Sequence, residues 1–129
     1  MEKKVSIIGG GLVGSLLSIY LAKRDYRVDV FEKRPDMRLQ EMQAGKSINL
    51  ALSHRGLRGL ERAGKEIVES IKTITIPMKG RMIHELNGHT NFQPYSKNGD
   101  CIYSVSRGEL NKRLIEIASH EYDVNFHFN

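Results

Sequence analysis

An α/β fold that opens on a parallel βαβ unit is predicted by three observations on the first 34 residues. "KVSIIG" is a short apolar run with β-branched residues, the mark of a buried strand. From Leu12 to Arg24 the apolar residues recur at helical spacing, with Leu12, Leu16, Ile19 and Tyr20 on one face. "YRVDVFE" then alternates Val28, Val30 and Glu32 against Asp29 and Phe31, as a second strand does. Strand, helix and strand within about 30 residues make a βαβ unit with a right-handed crossover.

The turn inside that unit carries the first chemical signal. It reads Gly9-x-Gly11-x-x-Gly14, with Gly10 completing a run of three glycines. Gly9 permits a tight turn, Gly11 lets backbone approach a pyrophosphate, and Gly14 lets helix and strand pack closely. The helix N-terminus offers unpaired N–H groups and a partial positive charge to phosphate. Glu32 closes the second strand, where a carboxylate accepts hydrogen bonds from ribose hydroxyls. Together these make a Rossmann-like dinucleotide site. The residues alone leave FAD and NAD both open. Lys33 and Arg34 suit the 2′-phosphate of NADP, but Glu32 beside them opposes it, and a solvated strand end explains both.

Beyond Arg34 a polar connection leads to a third extended piece, "SINLALS". "SHRGLRGLERAG" is a short helix with Ser53 as N-cap and Gly64 as its stop. "GRMIHELNGHTNFQPY" reads as a hairpin, because Asn87-Gly88 is the pair a type I′ turn prefers. A strict two-residue loop there pairs Leu86 with His89 and Arg81 with Pro94, and sends Tyr95 to the opposite face. Only a wider loop or a bulge unites Arg81 and Tyr95. "CIYSVS" is a strand, and "SRGELNKRLIEIASHE" is a helix with Ser106 and Glu109 as a capping box. "VNFHFN" alternates Val124, Phe126 and Phe128 as a last strand. With nothing after it to cover its faces, the expectation is a portion of a larger two-domain protein, self-associating through that strand's edge.

Composition narrows the classes further. The 129 residues amount to one domain, with 40% hydrophobic and 27% charged residues and a net charge of +5. The basic residues are scattered in runs no longer than two, with no aromatic–basic platform, so nucleic acid is not an expected partner. Tyr20, Lys23 and Arg24 interrupt the longest apolar run, so no membrane segment is expected in this chain. A single cysteine, Cys101, leaves no internal disulfide and fits a reducing cytoplasm.

Near-motifs fail on spacing. "HELNGH" lacks the HExxH interval and is broken by Asn-Gly, so it holds no zinc. "AGKS" has Gln40 where a Walker A loop requires glycine. Cys101 has no evident base beside it and reads as a small packed residue. No protein nucleophile or metal is expected.

Four stretches, "GGGLVGSLLSIYLAKR", "GKSINLALSHRG", "IPMKGRMIH" and "SVSRGELNKRL", resemble the kynurenine 3-monooxygenase family of FAD-dependent aromatic hydroxylases. The resemblance runs over all 129 residues, with its most specific part in "SINLALSHRG" and "IPMKGRMIH". The stretch from Gly64 to Pro77 is slightly longer than in that family, which is expected only to enlarge a loop. It implies that residues 1–129 are the N-terminal portion of an FAD-binding domain, with about 72–106 as a substrate-facing β segment. It implies FAD as cofactor and NADPH as reductant, with L-kynurenine and O₂ as substrates and 3-hydroxykynurenine as product by way of a flavin hydroperoxide. Val13, Phe31, Glu32, Lys33, Arg34 and Ala51 would line the adenosine and flavin path. Arg107 would reach the cofactor from the start of its helix, although charge alone mildly disfavours an arginine there. Arg81 and Tyr95 would hold the substrate carboxylate, a guanidinium fork gripping both oxygens and a phenol adding one hydrogen bond. Without the resemblance, three readings stay open: another FAD-dependent hydroxylase, an NAD-dependent oxidoreductase, and a non-catalytic dinucleotide-binding module.

Overall fold

A computed structural model describes residues 3–39 and 48–129. The βαβ unit forms as the sequence predicts. Strand β1 (Lys3–Ile8) leads into helix α1 (Leu12–Ala22), which returns to strand β2 (Tyr26–Glu32). β1 and β2 run parallel with Val5 opposite Val28 and Ile7 opposite Val30, so the apolar positions share one face. The last strand, β8 (Asn125–Phe128), adds to the other side of β2, again parallel, giving the order β1-β2-β8. Val28 and Val30 are buried beneath the helices.

A second, antiparallel sheet stands beside the first. Strand β3 (Asn49–Leu52) and strand β4 (Ile76–Met78) flank strand β7 (Ile102–Ser106). Strands β5 (Gly80–His84) and β6 (Thr90–Pro94) form a separate hairpin. Helix α4 (Arg107–Glu121) leaves β7 directly and packs on α1. Its N-cap behaves as expected: the Ser106 hydroxyl accepts from the Glu109 N–H at 3.4 Å. Ser47, the first residue of the predicted third strand, and the "AGKS" stretch lie outside the described residues.

Three expectations are corrected. The stretch after Gly64 is a helix and not a loop. Helix α2 (His54–Ala63) stops at Gly64, and helix α3 (Lys65–Lys72) starts from that same residue. Ile67, Val68 and Ile71 of α3 are buried with Leu60 and Ala63 of α2, so the extra turn of chain adds to the core. The second correction concerns β1, expected to be a buried strand: at the edge of its sheet, Val5 and Ile7 are only half-buried and Ile8 is exposed. In α1 the expected face of Leu12, Leu16, Ile19 and Tyr20 does pack on the core, and Gly14, Ser15 and Ser18 are buried beside Ile19. Small residues sit there because α4 crosses α1 closely, and small side chains let backbones approach.

The third correction is the hairpin register. Arg81 pairs with Gln93 and not with Pro94, and His84 pairs with Thr90. The Glu85 N–H donates to the His89 carbonyl at 2.9 Å and the Gly88 N–H to the Glu85 carbonyl at 3.0 Å. Leu86, Asn87 and Gly88 therefore make a three-residue loop. Gly88 alone in that loop takes the left-handed conformation, at φ +85°, whereas a type I′ turn needs two such residues. None of the helices among the described residues is long and apolar enough to cross a membrane.

Candidate functional site

The glycine-rich turn is tied to the protein on its inner side and open on its outer side. Gly9 has φ +106°, a conformation that side chains resist, and its N–H donates to the Phe31 carbonyl at 2.8 Å. A Cβ on Gly14 would lie 1.9 Å from the Gly9 carbonyl oxygen, so helix and turn could not close with any larger residue there. Gly11 differs from both. Its φ of −74° suits any residue, and a Cβ on it would meet nothing within 4 Å. Neither backbone conformation nor packing requires glycine at 11. Free access for an outside group does, as a pyrophosphate laid against the turn would need.

Gly11 is also the N-cap of α1, without a side-chain cap, and the Ser15 N–H to the Gly11 carbonyl is the helix's opening bond. The N–H groups before Ser15 thus have no helical partner, and the helix dipole adds positive potential at the same place. The turn fits a dinucleotide diphosphate.

Glu32 sits where the sequence reading put it, but its carboxylate already has protein partners. It is 8% exposed. One oxygen, Oε2, accepts from the Gly10 N–H at 2.8 Å, and Oε1 accepts from the Arg34 N–H and Nε, both at 2.9 Å. The Arg34 guanidinium first, and the Arg34 and Gly10 N–H groups with it, pull the Glu32 pKa down from 4.5 to about 2 against the opposing effect of burial. Arg34 therefore turns towards Glu32 and occupies the edge of the carboxylate that ribose hydroxyls would use. It does not reach outward for a 2′-phosphate.

Beside Glu32 lies a shallow cleft with about 350 Å³ of free space, partly open to solvent, lined by Gly10, Glu32, Arg34, Met37, Asn111 and Phe128 among others. Arg38 stands over the Phe128 ring at 5.6 Å, held by Asp36 at 2.7 Å. Met37, Asn111 and Phe128 were not anticipated. Asn111 is buried, and its Nδ2 donates to the Gly10 carbonyl at 3.0 Å across 101 positions of sequence.

The other anticipated residues stand on separate elements. Val13 is exposed at the opening of α1, beside the turn. Phe31 faces the opposite side of the sheet from Glu32, stacked on His127 at 4.6 Å, and Lys33 is exposed past the end of β2. Ala51 is exposed on β3, opposite Ser104. Arg107 is exposed at the first position of α4, and its N–H donates to the Ile48 carbonyl at 3.0 Å. It precedes Asn111 by four residues, so it shares the helix face that meets the turn.

Arg81 and Tyr95 lie apart from this cluster, on the hairpin. With Arg81 opposite Gln93, and the Tyr95 N–H donating to the Lys79 carbonyl at 3.0 Å, strand alternation puts both on one face. Gln93 stands between them and takes the Arg81 Nη2–H and Nε–H on its Oε1, at 2.8 and 3.0 Å.

Residues 7–40 match the model of an NAD(P)-binding Rossmann-like domain. The chain is 48% identical over 128 residues to a kynurenine 3-monooxygenase of Cytophaga hutchinsonii, covering 99% of this chain and 28% of that protein. It is 45% identical over 124 residues to the one of Sus scrofa, covering 96% of this chain and 26% of that protein. The chain is similar to kynurenine 3-monooxygenases along nearly its whole length. It spans little more than a quarter of these kynurenine 3-monooxygenases. Among solved structures, 2-methyl-3-hydroxypyridine-5-carboxylic acid oxygenase superposes with a TM-score of 0.75 at 22% identity, over 99% of this chain and 32% of that one. The p-nitrophenol 4-monooxygenase of Pseudomonas putida gives 0.72 at 15% identity, over 100% of this chain and 32% of that one. At those identities the likeness is one of fold.

Proposed function

We propose that this chain holds the FAD diphosphate and part of the substrate site of a flavin-dependent monooxygenase that hydroxylates L-kynurenine to 3-hydroxykynurenine. NADPH and O₂ are consumed. The observation that carries this reading is the 41–48% identity to proteins named kynurenine 3-monooxygenase, sustained over nearly every residue. The open outer side of the turn at Gly11 supports it independently. The single cysteine fits action in the cytoplasm.

FAD, when bound, would supply the redox chemistry, carrying electrons from NADPH to O₂, and O₂ would provide the oxygen atom placed on the ring. The residues of this chain bind and orient. The N–H groups at Gly11 and the first turn of α1 take the diphosphate, and Glu32 takes the ribose once Arg34 yields an edge of the carboxylate. Arg107 reaches the cofactor from one helical turn before Asn111. Val13 and Ala51, with Phe31, Lys33 and Arg34, flank the cofactor path. On the hairpin, Arg81 pairs with the substrate carboxylate and Tyr95 donates its O–H to the same group.

The test is made on the full-length protein. Extraction should release FAD in equimolar amount, and kynurenine should accelerate NADPH oxidation with formation of 3-hydroxykynurenine. A colourless protein that binds NADH instead would favour an NAD-dependent oxidoreductase. Bound FAD with another aromatic acid as the better stimulant would favour a different hydroxylase, and bound FAD without turnover a binding module.

A further inference from the structure

We propose that Asn111 is a positioning residue for the cofactor turn: by holding the Gly10 carbonyl inward, it aims the Gly11 N–H outward at the diphosphate. The proposal rests on the dinucleotide reading above and adds a residue that lies far outside the glycine-rich motif.

Gly10 is held at both of its polar groups. Its N–H donates to Glu32 Oε2 at 2.8 Å. Its carbonyl accepts from Asn111 Nδ2 at 3.0 Å and from the Ser15 hydroxyl at 3.1 Å. All three partners are buried. A trans peptide points its C=O and its N–H in opposite directions, and the described residues contain no cis bond. Fixing the Gly10 carbonyl towards α4 therefore turns the Gly11 N–H away from α4, to the side where a Cβ on Gly11 meets open space. The same logic applies one peptide earlier. The Gly10 N–H points at Glu32, so the Gly9 carbonyl points the other way, towards Gly14, where it would lie 1.9 Å from an added Cβ. Without Asn111 and Ser15, a run of three glycines has ample freedom to flip the Gly10–Gly11 peptide. The flipped turn would present a carbonyl oxygen to the diphosphate.

The chemistry of asparagine is specific here. Asn111 must present a donor to a carbonyl, and a leucine of similar volume cannot. An aspartate cannot while ionised, but a protonated aspartate can. The charged groups on the same cleft are Glu32 and Arg34, which are paired with each other, and the neighbouring pair is Asp36 with Arg38.

FAD affinity of the full-length apoprotein is measured by quenching of flavin fluorescence, at pH 8 and pH 5, for the wild type, Asn111→Leu and Asn111→Asp. Loss of a neutral hydrogen bond corresponds to about threefold to tenfold weaker binding, expected for Asn111→Leu at both pH values. Asn111→Asp should bind FAD more weakly than that at pH 8 and recover towards wild type at pH 5. Circular dichroism of each apoprotein checks the fold. If Asn111→Leu fails to fold, the pH recovery of Asn111→Asp decides. Wild-type affinity in either variant at pH 8, or a loss in Asn111→Asp that is the same at both pH values, overturns the proposal. A wild-type protein that binds no FAD at either pH overturns the dinucleotide reading instead.

Discussion

Arg81 and Tyr95 lie on the same face of the β5–β6 hairpin, with Gln93 between them as the direct partner of Arg81. The three-residue loop at Leu86–Gly88 creates this arrangement. Were Leu86 paired with His89 instead, Arg81 would face Pro94 and Tyr95 would lie behind the hairpin. Both side chains are exposed and make no core contact, so substituting them tests binding without testing the fold.

Arg81→Met in the full-length protein should weaken kynurenine binding about tenfold to a hundredfold and leave FAD in place, since a hydrogen bond to a charged group contributes about 1.5–3 kcal/mol. Tyr95→Phe removes a neutral donor and should cost less. Substrate titration of the bound flavin's absorbance measures both. Flavin release with unchanged substrate affinity would show that these residues serve the cofactor.

Deleting Leu86 tests the hairpin geometry. That side chain is fully exposed, so its loss removes no packing. The remaining Asn87-Gly88 is a favoured two-residue loop between Glu85 and His89, which already face each other, so Arg81 should stay opposite Gln93 and Tyr95 on the same face. Kynurenine affinity and FAD content should both hold, read by substrate titration of the bound flavin. A fall in kynurenine affinity as large as in Tyr95→Phe would mean that the loop itself, and not only the shared face, serves the substrate.

Local patterns in the sequence carry the βαβ unit, the cap at Ser106 and the alternation of Val28, Val30 and Glu32, because each depends on residues a few positions apart. Helix α3 was hidden by Gly64. A glycine reads as a stop, yet this one has an extended backbone that ends α2 and starts α3, and Ile67, Val68 and Ile71 already had helical spacing. The hairpin was misread by one residue since Asn-Gly fits both loop lengths, and the length is settled by which carbonyl Gly88 reaches. At the site, Gly9, Gly11, Gly14 and Glu32 are a local motif. Asn111 is not: it meets Gly10 only because α4 lies against α1, and nothing within its own helix marks it.

Gly14→Ala should be severe for so small a change. The added Cβ would lie 1.9 Å from the Gly9 carbonyl oxygen, a backbone atom that moves only if the whole turn moves. Overpacking of this kind costs about 1–3 kcal/mol, and the displaced turn should also lose FAD. Gly11→Ala is the companion: its Cβ has room in the free protein, so thermal stability should hold while FAD affinity drops. Thermal melts of the apoproteins and flavin titration separate the two outcomes. Equal loss of stability in both variants would mean that Gly11, like Gly14, is kept for packing.

Glu32 gives the turn a defined acid limit. Its pKa is depressed from 4.5 to about 2 in the folded protein, by the Arg34 guanidinium and by the Arg34 and Gly10 N–H groups. A depressed carboxylate pKa means that the unfolded chain takes up the proton more readily. The stabilisation is therefore complete above about pH 4.5 and drains away as the pH falls from there towards 2. Asp29, Asp36 and Glu66 are also shifted downwards, so the wild type alone cannot isolate the effect. Comparison with Glu32→Gln can, because the amide keeps the shape and an acceptor oxygen but never ionises. The melting-temperature difference between wild type and Glu32→Gln apoproteins should be constant from pH 7 to 5, with the wild type higher, and should shrink steadily between pH 4.5 and 2.5. A difference that stays level over that interval would mean that Glu32 holds Gly10 by shape and not by charge.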